Sequence, residues 1–274
     1  MDYKISLAGD LGSGKSTVSK IIIKETGAEY YSTGAIVRSI AERRGMSVVE
    51  LNVYMETHPE IDHEIDDGLC ALSDHAGSMI IDSRMAWHFV RGTYSVYLTT
   101  DLYVAAARVL GDHRATERVE SLDDAAAKLT ARRESEKKRY YEQYGVDIMD
   151  FGNYDLVLDT TDVPPETVAE VILAACARRM EGNGEKECYL CPTRLRYFDE
   201  SDADAVSAAA EALERGEAAG PIEVFAKDGN FYVRSGNDAA LAYSLTDAPL
   251  IPVRLVPYAG EDVGEGYVSM SDSL

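Results

Sequence analysis

The residues of this chain best spaced to do chemistry are Gly9, Gly12, Ser13, Gly14, Lys15 and Ser16, within the run Gly9-Asp10-Leu11-Gly12-Ser13-Gly14-Lys15-Ser16. They satisfy G-x-x-x-x-G-K-[ST], a loop whose backbone N–H groups turn inward around phosphate oxygens. In that pattern Lys15 reaches the β- and γ-phosphates of a nucleotide such as ATP, and the Ser16 hydroxyl ligates Mg²⁺. Thr17 follows in the first helical turn, where the helix N-terminus adds partial positive charge facing the phosphates. The loop needs a strand before it and a helix after it. Tyr3–Ala8 reads as the strand, and Thr17–Lys24 as a helix ending at Gly27.

Three further segments offer groups that would meet an anionic acceptor. Ser32, Thr33 and Gly34 form a polar turn that opens a helix carrying Arg38. Met79–Asp82 reads as a buried strand ending on Asp82, a carboxylate suited to the water shell of Mg²⁺, with Arg84 projecting from the same edge as an anion clamp. Ser121 begins a highly charged helix that runs through Lys128, Arg132, Arg133 and Glu134 to Tyr144-Gly145. Arg132, Glu136 and Arg139 are spaced by four and three and share one of its faces. Two permanently charged forks flanking a carboxylate are suited to holding a phosphate in transfer. A solvated helix laced with ion pairs has the same composition. Upstream, Arg108, Arg114 and Arg118 are expected in a lid.

Around these groups, residues 1–180 alternate short strand-like runs with longer helical patterns, as a parallel α/β sheet does. The strands are expected at Lys4–Ala8, Glu29–Ser32, Ser78–Asp82, Ser95–Thr99 and Leu156–Asp159. Ser47 and Glu50 make a capping box, and Ile61, Ile65, Leu69 and Leu72 recur at helical spacing. Residues 181–187 are polar and glycine-rich and read as a linker. Beyond it the spacing predicts a small α+β unit over 188–274. Its expected elements are strands at Tyr189–Leu195 and Leu250–Val256, helices at Ser201–Arg215 and Asn237–Leu245, a hairpin on Asp228-Gly229, and a loosely ordered tail after Tyr258.

The formal net charge of −21 argues against a nucleic-acid partner while leaving room for a pocket of arginines around a small anion. No apolar run approaches membrane-spanning length, and the chain enters a strand directly at Tyr3, so a cytoplasmic location and no membrane partner are expected. The spacing of Cys70, Cys176, Cys188 and Cys191 is no disulfide framework, and a single C-x-x-C without further ligands makes no zinc site. The five histidines form no Ser-His-Asp set. Oligomeric state is left open.

In order, the phosphate-binding loop, Ser32-Thr33-Gly34-Ala35 with Arg38, Asp82-Ser83-Arg84, the arginine helix, Tyr140–Asp147 and Asn153–Thr160 resemble the cytidylate kinases, in the nucleoside monophosphate kinase group of P-loop proteins, over about residues 3–175. The resemblance implies a P-loop kinase with a parallel sheet and helices on both faces, transferring phosphoryl from ATP to a nucleoside monophosphate, most of all CMP or dCMP. It implies that Arg38 and Arg84 hold the acceptor phosphate, that Arg132 and Arg139 contact donor and acceptor phosphates, and that Glu136 lies near the acceptor sugar or base. Ser83 stands where the family usually has glycine. Residues 188–256 resemble the ParB/sulfiredoxin-like fold through Cys191–Leu195, Gly220–Val224, Asp228–Val233, Gly236–Ala242 and Ile251–Val253, with Ala239 where that family carries a phosphate-binding arginine. A sensing, docking or oligomerising role is expected for it. Two other readings fit the residues: a P-loop kinase for a sugar or shikimate-like acid, and a non-catalytic nucleotide sensor.

Overall fold

A computed structural model describes residues 2–55, 57–111, 120–198, 200–263 and 266–269. The chain divides into two compact units, Met1–Lys186 and Glu187–Leu274.

The first unit runs β1 (Lys4–Gly9), α1 (Lys15–Thr26), β2 (Glu29–Ser32), α2 (Thr33–Arg44), α3 (Val48–Met55), α4 (Glu60–Ala71), β3 (Met79–Asp82), α5 (Ala86–Phe89), β4 (Tyr94–Thr99), α6 (Leu102–Gly111), α7 (Leu122–Tyr144), β5 (Leu156–Asp159) and α8 (Pro165–Met180). Its strands lie in the order β5-β4-β1-β3-β2, every pairing parallel. Every residue of β4 and β5 is buried, as a sheet covered on both faces requires. Because β1 lies between β3 and β4, the chain leaving its C-terminal end emerges where strand order reverses, the position at which open α/β sheets bind ligands. The phosphate-binding loop occupies that position.

Local chemistry explains the helices that frame it. Gly27 closes α1 in the left-handed region at φ 71°, with its N–H on Ile23 O. Ser47 and Glu50 exchange their capping-box hydrogen bonds at 2.7 and 3.1 Å, opening α3. Ile61, Ile65 and Leu69 of α4 bury their stripe against Ile40, Leu51, Met55 and Ile81, so α2, α3 and α4 share one apolar cluster with β3. Ser121 caps α7 through the Asp124 N–H, and Gly145 ends it at φ 68°. Although α7 is highly charged, Ala125, Ala126 and Leu129 seat it on Leu102 and Ala106 of α6.

The second unit comprises β6 (Glu187–Leu190), β7 (Leu195–Phe198), α9 (Ala203–Glu214), β8 (Glu223–Lys227), β9 (Asn230–Ser235), α10 (Asn237–Ser244), β10 (Ile251–Pro252), β11 (Arg254–Leu255) and β12 (Tyr267–Ser269). A five-stranded mixed sheet has the order β11-β8-β9-β7-β12, and β6 pairs antiparallel with β10. The β8–β9 hairpin turns on Asp228 (φ 51°) and Gly229 (φ 80°), both in the left-handed region that a tight two-residue hairpin demands.

Three sequence expectations for this unit are corrected. The strand expected over Tyr189–Leu195 is two strands, because Pro192 opens a 3₁₀ turn between them. The strand expected over Leu250–Val256 is likewise two short ones, β10 pairing with β6 and β11 with β8. The tail expected to be loose contains β12, which pairs antiparallel with β7. A three-residue strand gives too little alternation to be read from sequence.

Candidate active site

The loop after β1 is shaped by two close backbone approaches. A Cβ at Gly9 (φ +143°) would fall 2.3 Å from Leu98 O, and one at Gly12 (φ +78°) would fall 2.8 Å from Ala105 O. Only glycine lets the loop lie this tightly on β4 and α6. Ser13 is buried, its Oγ donating to Asp10 O at 2.8 Å. Gly14 caps α1, accepting the Thr17 N–H at 2.9 Å, while Ser16 and Thr17 stand exposed in the first turn. Lys15 folds back over its own loop and donates from Nζ to Gly9 O at 2.8 Å and Asp10 O at 2.7 Å. Loss of hydration on burial, with the nearby Arg84 charge, pulls its pKa down to about 7, and Asp82, Asp10 and Glu136 oppose this.

Asp10, inside the loop, is turned onto β4. Its carboxylate accepts from Tyr97 OH at 2.9 Å, Thr99 Oγ1 at 3.0 Å and the Thr100 N–H at 3.1 Å. Arg108 braces the loop from the other side, donating to Gly12 O at 3.3 Å, Thr160 O at 2.6 Å and Thr161 O at 3.0 Å. This corrects the expectation that Arg108 belongs to a lid: its guanidinium satisfies carbonyls left unpaired at the end of the sheet. Arg114 and Arg118 lie outside the described residues.

Register brings the next groups together. Asp82 sits opposite Leu7 of β1 and Ser32 of β2, and its carboxylate accepts from Tyr30 OH at 3.1 Å. Two residues on, Arg84 Nε donates to Glu136 Oε2 at 2.9 Å, and Arg132 Nε donates to the other oxygen, Oε1, at 3.0 Å. Burial works against the Glu136 carboxylate, but the flanking Arg84 and Arg132 charges outweigh it and hold its pKa down to about 2. A cleft adjoins these groups, with Gly9, Asp10, Arg84, Arg133 and Glu136 on its wall. Ser83 is buried, accepts the Met85 N–H at 3.3 Å and has no positive φ, so the backbone there does not demand glycine.

The remaining expected residues lie toward α2 and α4. Ser32 caps α2 through the Ala35 N–H, and Thr33 Oγ1 donates to Asp82 O at 3.4 Å. Arg38 is exposed beside Gly34, where a Cβ would meet its Nη1 at 3.5 Å, and has no ion pair among the described residues. Arg139 does not join Arg132 on Glu136. It lies half-buried against α3 and α4, over the Tyr140 ring at 5.0 Å and with Nη1 3.9 Å from Met55 Sδ. There it faces Asp62, whose carboxyl is pushed up by burial, with Arg139 and His63 opposing. Asp62 Oδ2, Arg139 Nε and Gln143 Nε2 are all buried without a hydrogen-bond partner among the described residues. Close by, Tyr144 OH donates to Asp66 at 2.5 Å, tying α7 to α4.

Sequence reasoning missed Asp10, Tyr97, Asp62 and Gln143. Asp62 and Asp66 repeat at i, i+4 immediately beside the Ile61/Ile65/Leu69 stripe, a signal that acids border the buried face of α4. Nothing in the sequence connects Asp10 to Tyr97, because that contact depends on the pairing of β1 with β4. Among the described residues no cluster of His, Cys, Asp and Glu could cage a metal ion, and no helix is long and apolar enough to cross a membrane.

Residues 4–162 match the cytidylate kinase-like family. A cytidylate kinase of Thermoplasma volcanium is 37% identical over 190 residues, covering 68% of this chain and 95% of its own length. One from Sulfolobus acidocaldarius is 35% identical over 178 residues, covering 64% and 95%. Among solved structures, a shikimate kinase from Bacteroides thetaiotaomicron superposes with a TM-score of 0.45 at 14% identity, over 65% of this chain and 98% of its own, a likeness too slight to bear on the reaction.

Proposed function

The chain belongs to the cytidylate kinase-like family, and from that premise we propose that it transfers the γ-phosphoryl group of ATP to CMP or dCMP, giving ADP and the cytidine diphosphate. It is a nucleoside monophosphate kinase, and the choice of cytosine rests on this chain's own side chains. The observation that carries this choice is the set of unpaired buried atoms on α4 and α7. Cytosine offers an amino donor at N4 beside acceptors at N3 and O2. The Asp62 carboxylate matches the donor, and the Arg139 and Gln143 N–H groups match the acceptors. Uracil would set its O4 against the Asp62 carboxylate, two acceptors facing one another. A site built this way rejects the wrong base by leaving its own polar groups unpaired.

The rest of the proposed mechanism follows from the groups around the loop. Lys15 and the loop N–H groups hold the donor phosphates. Arg84, kept protonated and oriented by Glu136, holds the acceptor phosphate together with Arg38 from α2. An acceptor phosphate oxygen attacks the γ-phosphorus in line, and the bond from that phosphorus to the β,γ-bridging oxygen breaks. No strong base is needed, because the attacking oxygen is already ionised. Arg132 stabilises charge spread over the transferring group.

The residues present fit Mg²⁺. The Ser16 hydroxyl and the Asp82 carboxylate are hard oxygen donors, and an ion that keeps waters and phosphate ligands needs no protein cage. Held by these residues, Mg²⁺ would supply positive charge against the negative charge that develops on the phosphates during transfer.

For the second unit we propose the ParB/sulfiredoxin-like resemblance and a docking, sensing or oligomerising role. Its hairpin, followed by a glycine-capped α10, supports the likeness. Ala239, buried in α10, supports a unit without the phosphate-binding arginine of that family.

The test is phosphoryl transfer from ATP–Mg²⁺ to a panel of CMP, dCMP, UMP, AMP, GMP and dTMP, with Asp62→Asn beside the wild type. The expected result is preference for the two cytidine acceptors, weakened in the variant. Equal turnover of UMP and CMP by the wild type would overturn the cytosine assignment, and no diphosphate from any acceptor would overturn the reaction.

A further inference from the structure

The side chain of Arg84 is anchored by Glu136 on α7, and its main chain is anchored separately. Ser83 and Arg84 follow β3 in a turn outside any strand or helix, and α5 begins only at Ala86. Backbone and hydroxyl groups fasten most of that turn. The Ser83 N–H donates to Leu7 O at 3.2 Å, the Met85 N–H to Ser83 Oγ at 3.3 Å, and the N–H groups of His88 and Phe89 to Met85 O at 3.0 and 3.1 Å. No backbone N–H among the described residues reaches the Arg84 carbonyl. Its donor is a side chain: Trp87 Nε1 donates to Arg84 O at 3.0 Å.

The indole is well placed to hold that carbonyl still. Trp87 is half-buried and lies edge-on to Tyr154, ring centroids 5.6 Å apart. Tyr154 is buried and packs on Tyr97 at 5.0 Å, and the Tyr97 hydroxyl donates to Asp10 in the phosphate-binding loop. The wall behind the indole is therefore fixed to the same loop that receives the donor. Packing against Tyr154 asks only for a flat ring at this position, whereas the Arg84 carbonyl asks for a ring with an N–H. Arg84 carries its charge on a long chain, and Glu136 takes Nε, so the aim of the two Nη groups depends on where the turn sets the Cα. A misplacement of about 1 Å in a group that orients substrate can cost about 100-fold in rate.

We infer that Trp87 is a positioning residue for Arg84: its indole N–H fixes the turn carbonyl and so aims the Arg84 Nη groups at the acceptor phosphate. The inference rests on the reading that gives Arg84 the acceptor phosphate, and goes beyond it by naming a group that acts through Arg84.

Trp87 is the one tryptophan of the chain, so biosynthetic replacement of tryptophan by β-(3-benzothienyl)alanine changes this N–H to sulfur and alters no other residue. The test compares wild type, that analogue and Trp87→Phe in kcat/KM for CMP and for ATP, calorimetric binding of each, and a melting curve. The same replacements are repeated in an Arg84→Ala background. Loss of the N–H is expected to lower kcat/KM and affinity for CMP by about three- to tenfold, the scale of one hydrogen bond, while ATP binding stays within about twofold. In the Arg84→Ala background it should cost less than about twofold more, because a group acting through Arg84 has nothing left to aim. In the wild type, Trp87 fluorescence should shift on adding CMP and stay unchanged on adding cytidine, which has no phosphate to draw Arg84. Additive losses in the two backgrounds, or equal losses for ATP and CMP, are what a merely structural ring would give and would overturn the inference. Unchanged CMP parameters in the folded analogue would do the same. If Arg84→Ala loses ATP binding and keeps CMP, the assignment of Arg84 to the acceptor fails by itself, and the two backgrounds compared on ATP still decide Trp87. A wild type that turns over no nucleotide fails the functional reading separately, since the binding comparison does not need turnover.

Discussion

Lys15 carries a prediction about protons that follows from where its ammonium is placed. With its pKa pulled down to about 7 by burial and by Arg84, the side chain is largely neutral in the free protein at pH 8. A base one unit above its pKa is about nine-tenths deprotonated. Arrival of the ATP phosphates brings negative charge within reach of Nζ and restores the ammonium. Binding of ATP at pH 8 should therefore take up about 0.9 proton, falling to about 0.1 at pH 6, where Lys15 is already charged. At pH 8 the terminal phosphate is itself fully ionised, its second pKa being near 6, so it adds little to the balance. The assay is calorimetric titration of ATP at each pH in two buffers of different ionisation enthalpy, the slope giving the protons exchanged. A Lys15→Met variant, unable to take up the proton, supplies the baseline and should also abolish transfer. A binding enthalpy independent of buffer at pH 8 would refute the argument, because it would mean that Lys15 is charged before the nucleotide arrives.

Other perturbations read other parts of the site. In the α4 cluster, Asp62→Asn should reduce the preference for CMP over UMP by roughly 10- to 100-fold, the scale of one hydrogen bond to a charged group; an unchanged ratio of kcat/KM values would remove Asp62 from base selection. The folded-state pKa of Glu136 lies below its ordinary 4.5, at about 2, so its contribution to stability is complete above pH 4.5 and lost as pH falls through 2. That contribution is on the order of 3 kcal/mol, and urea unfolding at pH 7, 4 and 3 should show a shallower acid loss for Glu136→Gln than for wild type; parallel losses would count against it. Tyr97→Phe removes the phenol that donates to Asp10 at 2.9 Å. It should raise KM for ATP by about three- to tenfold with little change in KM for CMP, less than the full worth of a hydrogen bond to a charged group because Thr99 and Thr100 still hold Asp10; equal effects on both substrates would show that Tyr97 does not act through the loop.

Much of this protein is determined locally and so is legible in sequence. The loop Gly9–Ser16 declares itself because its glycines meet a steric need set by the backbone alone, at Gly9 against Leu98 and at Gly12 against Ala105. The caps at Ser47, Ser121, Gly27 and Gly145 likewise use groups within a few residues of each other, which is why α1, α3 and α7 begin and end close to where the sequence places them. Glu136 and Arg132 are joined by helical spacing alone. Tertiary structure decided the rest. Arg132, Arg133 and Arg139 are alike in sequence, yet one pairs with Glu136, one borders the cleft unpaired and one lies half-buried beside Asp62. Their fates depend on which side of α7 meets the loop and which meets α4. Arg108 braces the loop only because β5 brings Thr160 and Thr161 beside it. Asp10 is held by Tyr97 only because β1 lies against β4. Spacing along a chain sets what a residue meets within about two helical turns, whereas partners 50 or more residues away are chosen by strand order and helix packing.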